Sequence, residues 1–435
     1  MPKSDPARPG ADVAVTVARL GADGDGIAEG VDGATLYLPR TLPGERVLAR
    51  PVAHRGGGWL AEAAEILAPS PERAAPPCPH FDRCGGCALQ HWQEAPYRAW
   101  KAGLLQAALA RAGYDEITIA PPAAAAPASR RRFDFAFGRE GGVFRLGLHA
   151  THSRALVDIG ACPVLHPALA ALLAPLRAVL ATLPPQKGEG RVAANLLQDG
   201  ADLLIESRTE PGTAARARLI AFARAHGIAR ISWSDGRAGP EALCRLAPTR
   251  LSLAGATVEV PSGAFLQATR ESEQAIMSTV LAGLPERLRP RDTVIELYSG
   301  CGTLSFPLAA RARVRAFEGS PEQVSALSAA AGAAGLGGKL TATCRDLARQ
   351  PLAASELAGA AVVVLDPPYD GAARQTEALA AAKPPRIIYV SCNPAALARD
   401  GAALNAAGYR LLAATAVDQF LWSARLEAVA VFTRA

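Results

Sequence analysis

The chain has 435 residues, with 46 Lys and Arg against 40 Asp and Glu, a formal net charge of +6. This length suggests two or three domains with ample material for packed cores, and the basic balance suits a polyanionic partner without naming one. No apolar run is long enough to span a bilayer, the longest being broken by Pro175 and Arg177, and no apolar signal segment is visible, so a soluble cytoplasmic protein is expected, with its eight cysteines used for metal or catalysis rather than disulfides.

In chain order, residues 1–12 read as a flexible leader. From Val13 to about Leu67, short runs such as "GATLYLP" and "ERVLARPVAH" are separated by "GADGDG", "PGE" and "RGGG". Short strands punctuated by Gly turns predict a small barrel, either an RNA-binding OB type or an accessory β domain without a ligand. Residues 69–92 are rich in Pro, Cys and Gly, and a helix is predicted over about 95–112, ended by Gly113. Between about 130 and 258 the pattern is mixed and mostly β, interrupted by one helix over about 167–183. After Pro261 buried strands alternate with helices: "DTVIELYSG", "RVRAFEGS", "KLTATCRD", "AVVVLDPP" and "RIIYVSCNP". That rhythm predicts an open α/β sheet, largely parallel.

Ligands of such a sheet sit past the carboxyl ends of its strands. Gly300 and Gly302 make a tight turn there, and Glu318, Asp346 and Asp366 end the next three strands. Carboxylates suit the ribose and amines of S-adenosylmethionine (AdoMet) better than a pyrophosphate. Any one acid alone reads as a helix cap.

Cys78, Cys84 and Cys87 are spaced C-x5-C-x2-C, and Cys162, like Cys78 followed by proline, is the best fourth ligand. Four thiolates fit zinc or a [4Fe–4S] cluster equally well on ligand count.

Cys392 follows the fifth strand, beside the end of the fourth. Uracil C5 is too weak a nucleophile to take a methyl group until a thiolate adds at C6, and a base must then remove the C5 proton. Glu427, at the start of the last strand, is the candidate base. Against this stands "DPPY" at Asp366–Tyr369, which in nucleic-acid methyltransferases marks methylation of an exocyclic amino group. That reading leaves Cys392 and Glu427 unexplained. A third reading, a non-enzymatic RNA-binding protein, leaves the nucleophile, base and AdoMet residues all unused.

Together these motifs resemble the RNA uracil-C5 (5-methyluridine) methyltransferase family, over nearly the whole chain. "SCNP" resembles its nucleophile motif and Glu427 falls at its catalytic glutamate. "CPHFDRCGGCALQHW" and "CPVL" resemble the cluster cysteines of its 23S rRNA branch, implying [4Fe–4S] rather than zinc. "GAFLQAT" implies that Gln267 contacts AdoMet, and "ELYSGCGT" adds Tyr298 and Thr303, with Glu318, Asp346 and Asp366 as further AdoMet contacts. The implied architecture is α/β: an OB-like TRAM barrel over 11–68, a central mixed β domain with the iron–sulfur site over 69–258, and a Rossmann-like class I AdoMet methyltransferase domain over 259–435. The segment 93–121 would pack on the catalytic domain. The implied substrate is structured RNA, 23S rRNA first and tRNA second, and the implied state a monomer. The sequence departs from the family where Tyr369 replaces Arg after Asp-Pro-Pro, where Ala268-Thr269 follows Gln267, and where Arg425-Leu426 replaces His-Val before Glu427.

Overall fold

A computed structural model describes residues 12–30, 33–123, 125–184, 188–237 and 239–434. The expected leader lies outside the described residues except for Asp12, which pairs with Arg50 at 2.7 Å.

The N-terminal segment forms one six-stranded sheet, in the order Val13–Thr16, Arg46–Arg55, Gly58–Ala68, Thr35–Leu38, Gly26–Glu29, Arg19–Leu20. Alternate side chains, among them Val15, Leu36, Leu38, Val47, Ala49 and Trp59, close a small core, as a two-residue side-chain period requires. Pro51 sits at a register shift of the pair Arg46–Arg55 and Gly58–Ala68, where its missing N–H breaks no regular ladder. The strand Gly26–Glu29 was not foreseen. Its Gly26 is a packing requirement, since a Cβ there would stand 2.0 Å from Thr41 Oγ1.

The central sheet has seven strands, from Glu241–Arg245 through Ile228–Ser234, Gly200–Glu206, Gly190–Leu197, Arg132–Glu140 and Val143–His149 to Leu156–Asp158. The single helix expected over 167–183 is two short ones, Pro167–Ala170 and Leu173–Leu180. Pro175 has no N–H to bond the carbonyl four residues back, so the helix restarts and places the proline in its first turn. A helix Thr213–Ala225 also lies in the region read as mostly β. Its buried Ala215, Leu219, Phe222 and Ala223 follow helical spacing.

The third sheet runs Leu340–Cys344, Arg313–Glu318, Thr293–Leu297, Ala360–Leu365, Arg386–Ser391, Glu427–Arg434, Tyr409–Val417. The first five are parallel and the last two antiparallel. Chain order reverses at Thr293–Leu297, which lies between Arg313–Glu318 and Ala360–Leu365, the strands of this sheet that follow it first and third in sequence. This is the topological switch point. The helix Glu94–Arg111 contributes Ala102, Leu105 and Leu109 to a core shared with Ile295, Leu297, Val363 and Phe432. The hairpin Arg250–Leu253 and Ala256–Glu259 packs on the other face. No helix among the described residues is long and apolar enough to cross a membrane.

Candidate active site and cysteine cavity

Two buried clusters of chemistry-bearing groups emerge from this fold. The first lies at the carboxyl ends of the third sheet. Arg386–Ser391 and Glu427–Arg434 pair antiparallel, with Ser391 opposite Ala428. One step further, Cys392 leaves the first strand where Glu427 enters the second. Asn393 caps the helix Pro394–Ala406 by accepting from Ala395 N at 3.0 Å, so Cys392 stands at the positive end of that helix.

Burial pushes the Cys392 thiol up to about 12, helped by the charges of Glu427 and Asp366, while its own backbone N–H and Arg425 act the other way. Burial also pushes Asp366 up to about 7 and Glu427 well above the carboxylate range, the latter also through Asp366. Burial of two carboxyls facing one thiol in a low-dielectric site therefore favours their protonated forms more than water would.

Hydrogen bonds tie the set together. Gln267 Nε2 donates to Asp366 Oδ2 at 3.3 Å. Gln419 Nε2 donates to Gln267 Oε1 at 2.9 Å and to Glu427 Oε2 at 2.5 Å. Glu427 Oε1 is buried with no hydrogen-bond partner among the described residues. The central sheet fixes Gln267 from behind: Arg131 Nε donates to its carbonyl at 3.0 Å, and Asn195 Nδ2 to that of Ala264 at 2.9 Å.

The remaining predicted residues stand at neighbouring strand ends. Tyr298 begins the turn with φ 64°, and burial pushes its phenol up to about 12. Glu318 accepts from Gly300 N and Ser320 N, both at 2.9 Å, so it braces the glycine turn. Gly302 serves packing as much as ligand approach: with φ 99°, a Cβ there would stand 2.5 Å from Leu327. Thr303 is half-buried in the same turn. Asp346 is exposed and accepts from Ala348 N at 3.0 Å and Arg349 N at 3.2 Å, a cap-like role.

Two residues escaped the sequence reading, and a third, Arg425, was read there only as a departure from the family pattern. Gln419 lies in the loop before the last strand, with no periodicity to mark it. Glu296, buried inside the switch-point strand, accepts from Ser305 Oγ at 2.5 Å and is pushed up to about 8, chiefly by burial. Arg425 holds its guanidinium 4.3 Å from the centre of the Tyr369 ring. Tyr369 is in turn tied to the nucleophile segment through Asn393 Nδ2, which donates to its carbonyl at 3.0 Å. An alternating-strand signal at "IEL" could have suggested Glu296; nothing local marks Gln419.

The second cluster is a cavity of about 210 Å³ lined by Cys78, Cys84, Cys87 and Cys162. Phe133, Phe135, Leu148 and Ile159 supply apolar walls. Gly86 N donates to Cys84 Sγ at 3.3 Å, which the Gly85-Gly86 pair makes possible. Burial pushes Cys87 up to about 12, with the other three thiols acting in the same direction. No three His, Cys, Asp or Glu side chains among the described residues meet as ligands of one ion; the four thiols ring a space instead. The donor set fits a multinuclear, all-thiolate group in a water-poor pocket.

A glycine turn at the switch point, acids at the neighbouring strand ends and a seven-stranded sheet with an antiparallel edge define a class I methyltransferase. The family follows from comparison. A profile described as tRNA (Uracil-5-)-methyltransferase matches residues 350–435. An RNA methyltransferase of Caulobacter vibrioides is 42% identical, covering 97% of this chain and 99% of its own. The 23S rRNA (uracil(1939)-C(5))-methyltransferase RlmD of Chromohalobacter salexigens is 37% identical, covering 97% and 89%. The tRNA (uracil-54, C5)-methyltransferase of Pyrococcus abyssi, solved with S-adenosyl-L-homocysteine, shares the fold with a TM-score of 0.73 at 19% identity, covering 97% and 99%. The chain belongs to the RNA uracil-5-methyltransferase family and is an AdoMet-dependent enzyme of RNA.

Proposed function

We propose that the enzyme methylates C5 of a uridine in 23S rRNA, with Cys392 as nucleophile and Glu427 as base. The observation that carries this reading is the meeting of Cys392, Glu427 and Asp366 at the ends of three adjacent strands, with Gln267 bonded to Asp366. The Cys392 thiolate adds to uracil C6, and its electron pair makes C5 an enolate carbon. AdoMet, when bound, supplies the methyl group that C5 takes. Glu427, raised by burial and so a stronger base once ionised than an exposed carboxylate, removes the C5 proton through Oε1, which has no hydrogen-bond partner among the described residues. The C6–S bond then breaks and frees Cys392.

The target nucleotide must leave its stack to reach a half-buried thiol. Gln267, Tyr298, Thr303, Glu318, Asp346 and Asp366 suit the AdoMet side, with Asp366 also placed to meet the target base. Cys78, Cys84, Cys87 and Cys162 would hold a [4Fe–4S] cluster with a structural role, since the reaction transfers no electrons. The N-terminal sheet is assigned to RNA binding as a TRAM-like unit. The choice of 23S rRNA is supported by similarity to the rRNA enzyme over nearly the whole chain.

Two measurements test the reading. Cys392→Ala should abolish methylation while AdoMet binding persists in calorimetry; full activity would sink the mechanism. Nucleoside mass spectrometry of RNA from a deletion strain should show 5-methyluridine missing from 23S rRNA. Loss from tRNA would reassign the substrate, and loss of an N-methylated base would restore the amino-group reading of Asp366–Tyr369.

A further inference from the structure

Among the groups that the mechanism leaves unused, one side chain touches both the proposed base and the residue opposite it. Gln419 is 2% exposed, and all its polar atoms are engaged. Its Nε2 donates to Glu427 Oε2 and to Gln267 Oε1, and its Oε1 accepts from Ala268 N at 2.9 Å. A buried amide that satisfies two donations and one acceptance has one rotamer and one flip available.

We propose that Gln419 is a positioning residue for proton removal: it clamps one carboxylate oxygen of Glu427, aims the other at uracil C5, and fixes Gln267 across the same pocket. The inference rests on the assignment of Glu427 as the base.

The loop that carries Gln419 is anchored unusually deeply. Its neighbour Asp418 is buried in an ion pair with Lys101 of the helix Glu94–Arg111, both side chains being 0% exposed. Tyr97 Oη donates to Asp418 Oδ2 at 2.5 Å, Lys101 Nζ donates to the Phe420 carbonyl at 3.1 Å, and Trp422 N donates to Tyr97 Oη at 2.9 Å. On the other side, Ala88 N and Leu89 N donate to the Trp422 carbonyl at 2.8 and 2.9 Å. A loop between two strands is ordinarily a mobile place for a catalytic support; this one is pinned from both flanks.

The step concerned is the last one. The C5 proton passes to Glu427, the C5–H electron pair becomes the C5=C6 double bond, and the C6–S pair returns to Cys392. A base misplaced by about 1 Å can cost about a hundred-fold in rate. Gln419 also donates to the ionised form of Glu427, so its loss raises the base further and moves the acid limb of elimination to higher pH.

The test uses RNA from a deletion strain, labelled with tritium at uracil C5, mixed with full-length protein and AdoMet over a pH series. Gln419→Met keeps the volume and removes the donor. It should form the methylated covalent adduct, seen on a denaturing gel, yet release tritium about a hundred-fold more slowly, with the acid limb shifted upward. Gln419→Glu retains the acceptor for Ala268 N and should shift the limb further, because it sets a second carboxyl against Glu427. A merely structural residue would slow adduct formation and elimination together and leave the limb in place. Wild-type release and an unmoved limb in both variants, alongside a stalled Glu427→Gln, overturns the role of Gln419 alone. Normal release by Glu427→Gln overturns the base assignment, and this inference with it.

Discussion

The cysteine cavity and the reaction site both bury a thiol that is pushed up to about 12, Cys87 in one and Cys392 in the other. The neighbours differ. Around Cys87 are three more thiols, with the buried cations Arg130 and Lys101 within reach of its field. Around Cys392 are two carboxyls that burial raises toward their protonated forms. A ring of thiols ionises together only when a positively charged group shares the charge. A thiol beside protonatable carboxyls can ionise alone and transiently, because the repulsion disappears when the neighbour takes a proton. The first arrangement suits a resident metal group, the second a nucleophile that must leave again.

The sharpest way to break this comparison is to remove each sulfur in turn. Cys392→Ser should reduce methylation to background while iron content and thermal stability of anaerobically purified protein stay at wild-type values. Cys87→Ser should do the reverse first, losing iron and visible absorbance and melting at a lower temperature. If Cys87→Ser melts and absorbs like the wild type, the cavity holds no structural group. The loop 418–422 bonds to both sites, through Gln419 to Glu427 and through the Trp422 carbonyl to Ala88 and Leu89 beside Cys87. Lys101→Met strands the buried Asp418 carboxylate and should cost about 3–5 kcal/mol in chemical denaturation. Adding Asp418→Leu should recover much of that loss, whereas no recovery would show that the pair acts through separate contacts.

A smaller, pH-dependent effect belongs to the reaction site alone. Burial, the main cause, raises Glu296 to about 8 despite the hydrogen bond from Ser305. The folded protein therefore keeps a proton that the unfolded chain releases above its ordinary carboxylate range. The stability this group contributes is complete in acid and is lost as pH rises through about 8. The slope is at most about 1.4 kcal/mol per pH unit. Glu296→Gln should flatten that decline between about pH 4.5 and about 8. Denaturation midpoints across the range provide the check, and an unchanged slope would place the proton elsewhere.

What the sequence disclosed follows from how local each signal is. The five parallel strands were legible because each is a short apolar run ended by a turn or an acid. Cys392 and the strand-end acids were legible for the same reason. Three of the four cysteines were read from spacing and Cys162 from the proline after it, but the sequence could not say that the sulfurs line one cavity rather than meet at a point. Gln419 was invisible because its importance comes from partners 152 and 8 residues away. The strand Gly26–Glu29 was hidden within a Gly-rich stretch, and the helix Thr213–Ala225 was passed over although its apolar spacing was there to read.

The least effect is expected where two of the three departures from the family pattern meet. Arg425 stacks on Tyr369, and both are exposed at the mouth of the site. The same guanidinium is the cation whose field lowers the Cys392 thiol, and it sits over the Tyr369 ring. An exposed charge acts weakly through water, and a stack of this kind contributes about 0.5–1 kcal/mol. Arg425→Gln should therefore slow iodoacetamide alkylation of Cys392 at neutral pH by about two- to five-fold, moving its pH profile upward. Tyr369→Ala should move the profile in the same direction by less, because the cation remains but loses its seat. If Tyr369→Ala has the larger effect, the ring itself shields the thiol, and the mouth of the site differs from the cysteine cavity by its walls as well as by its charges.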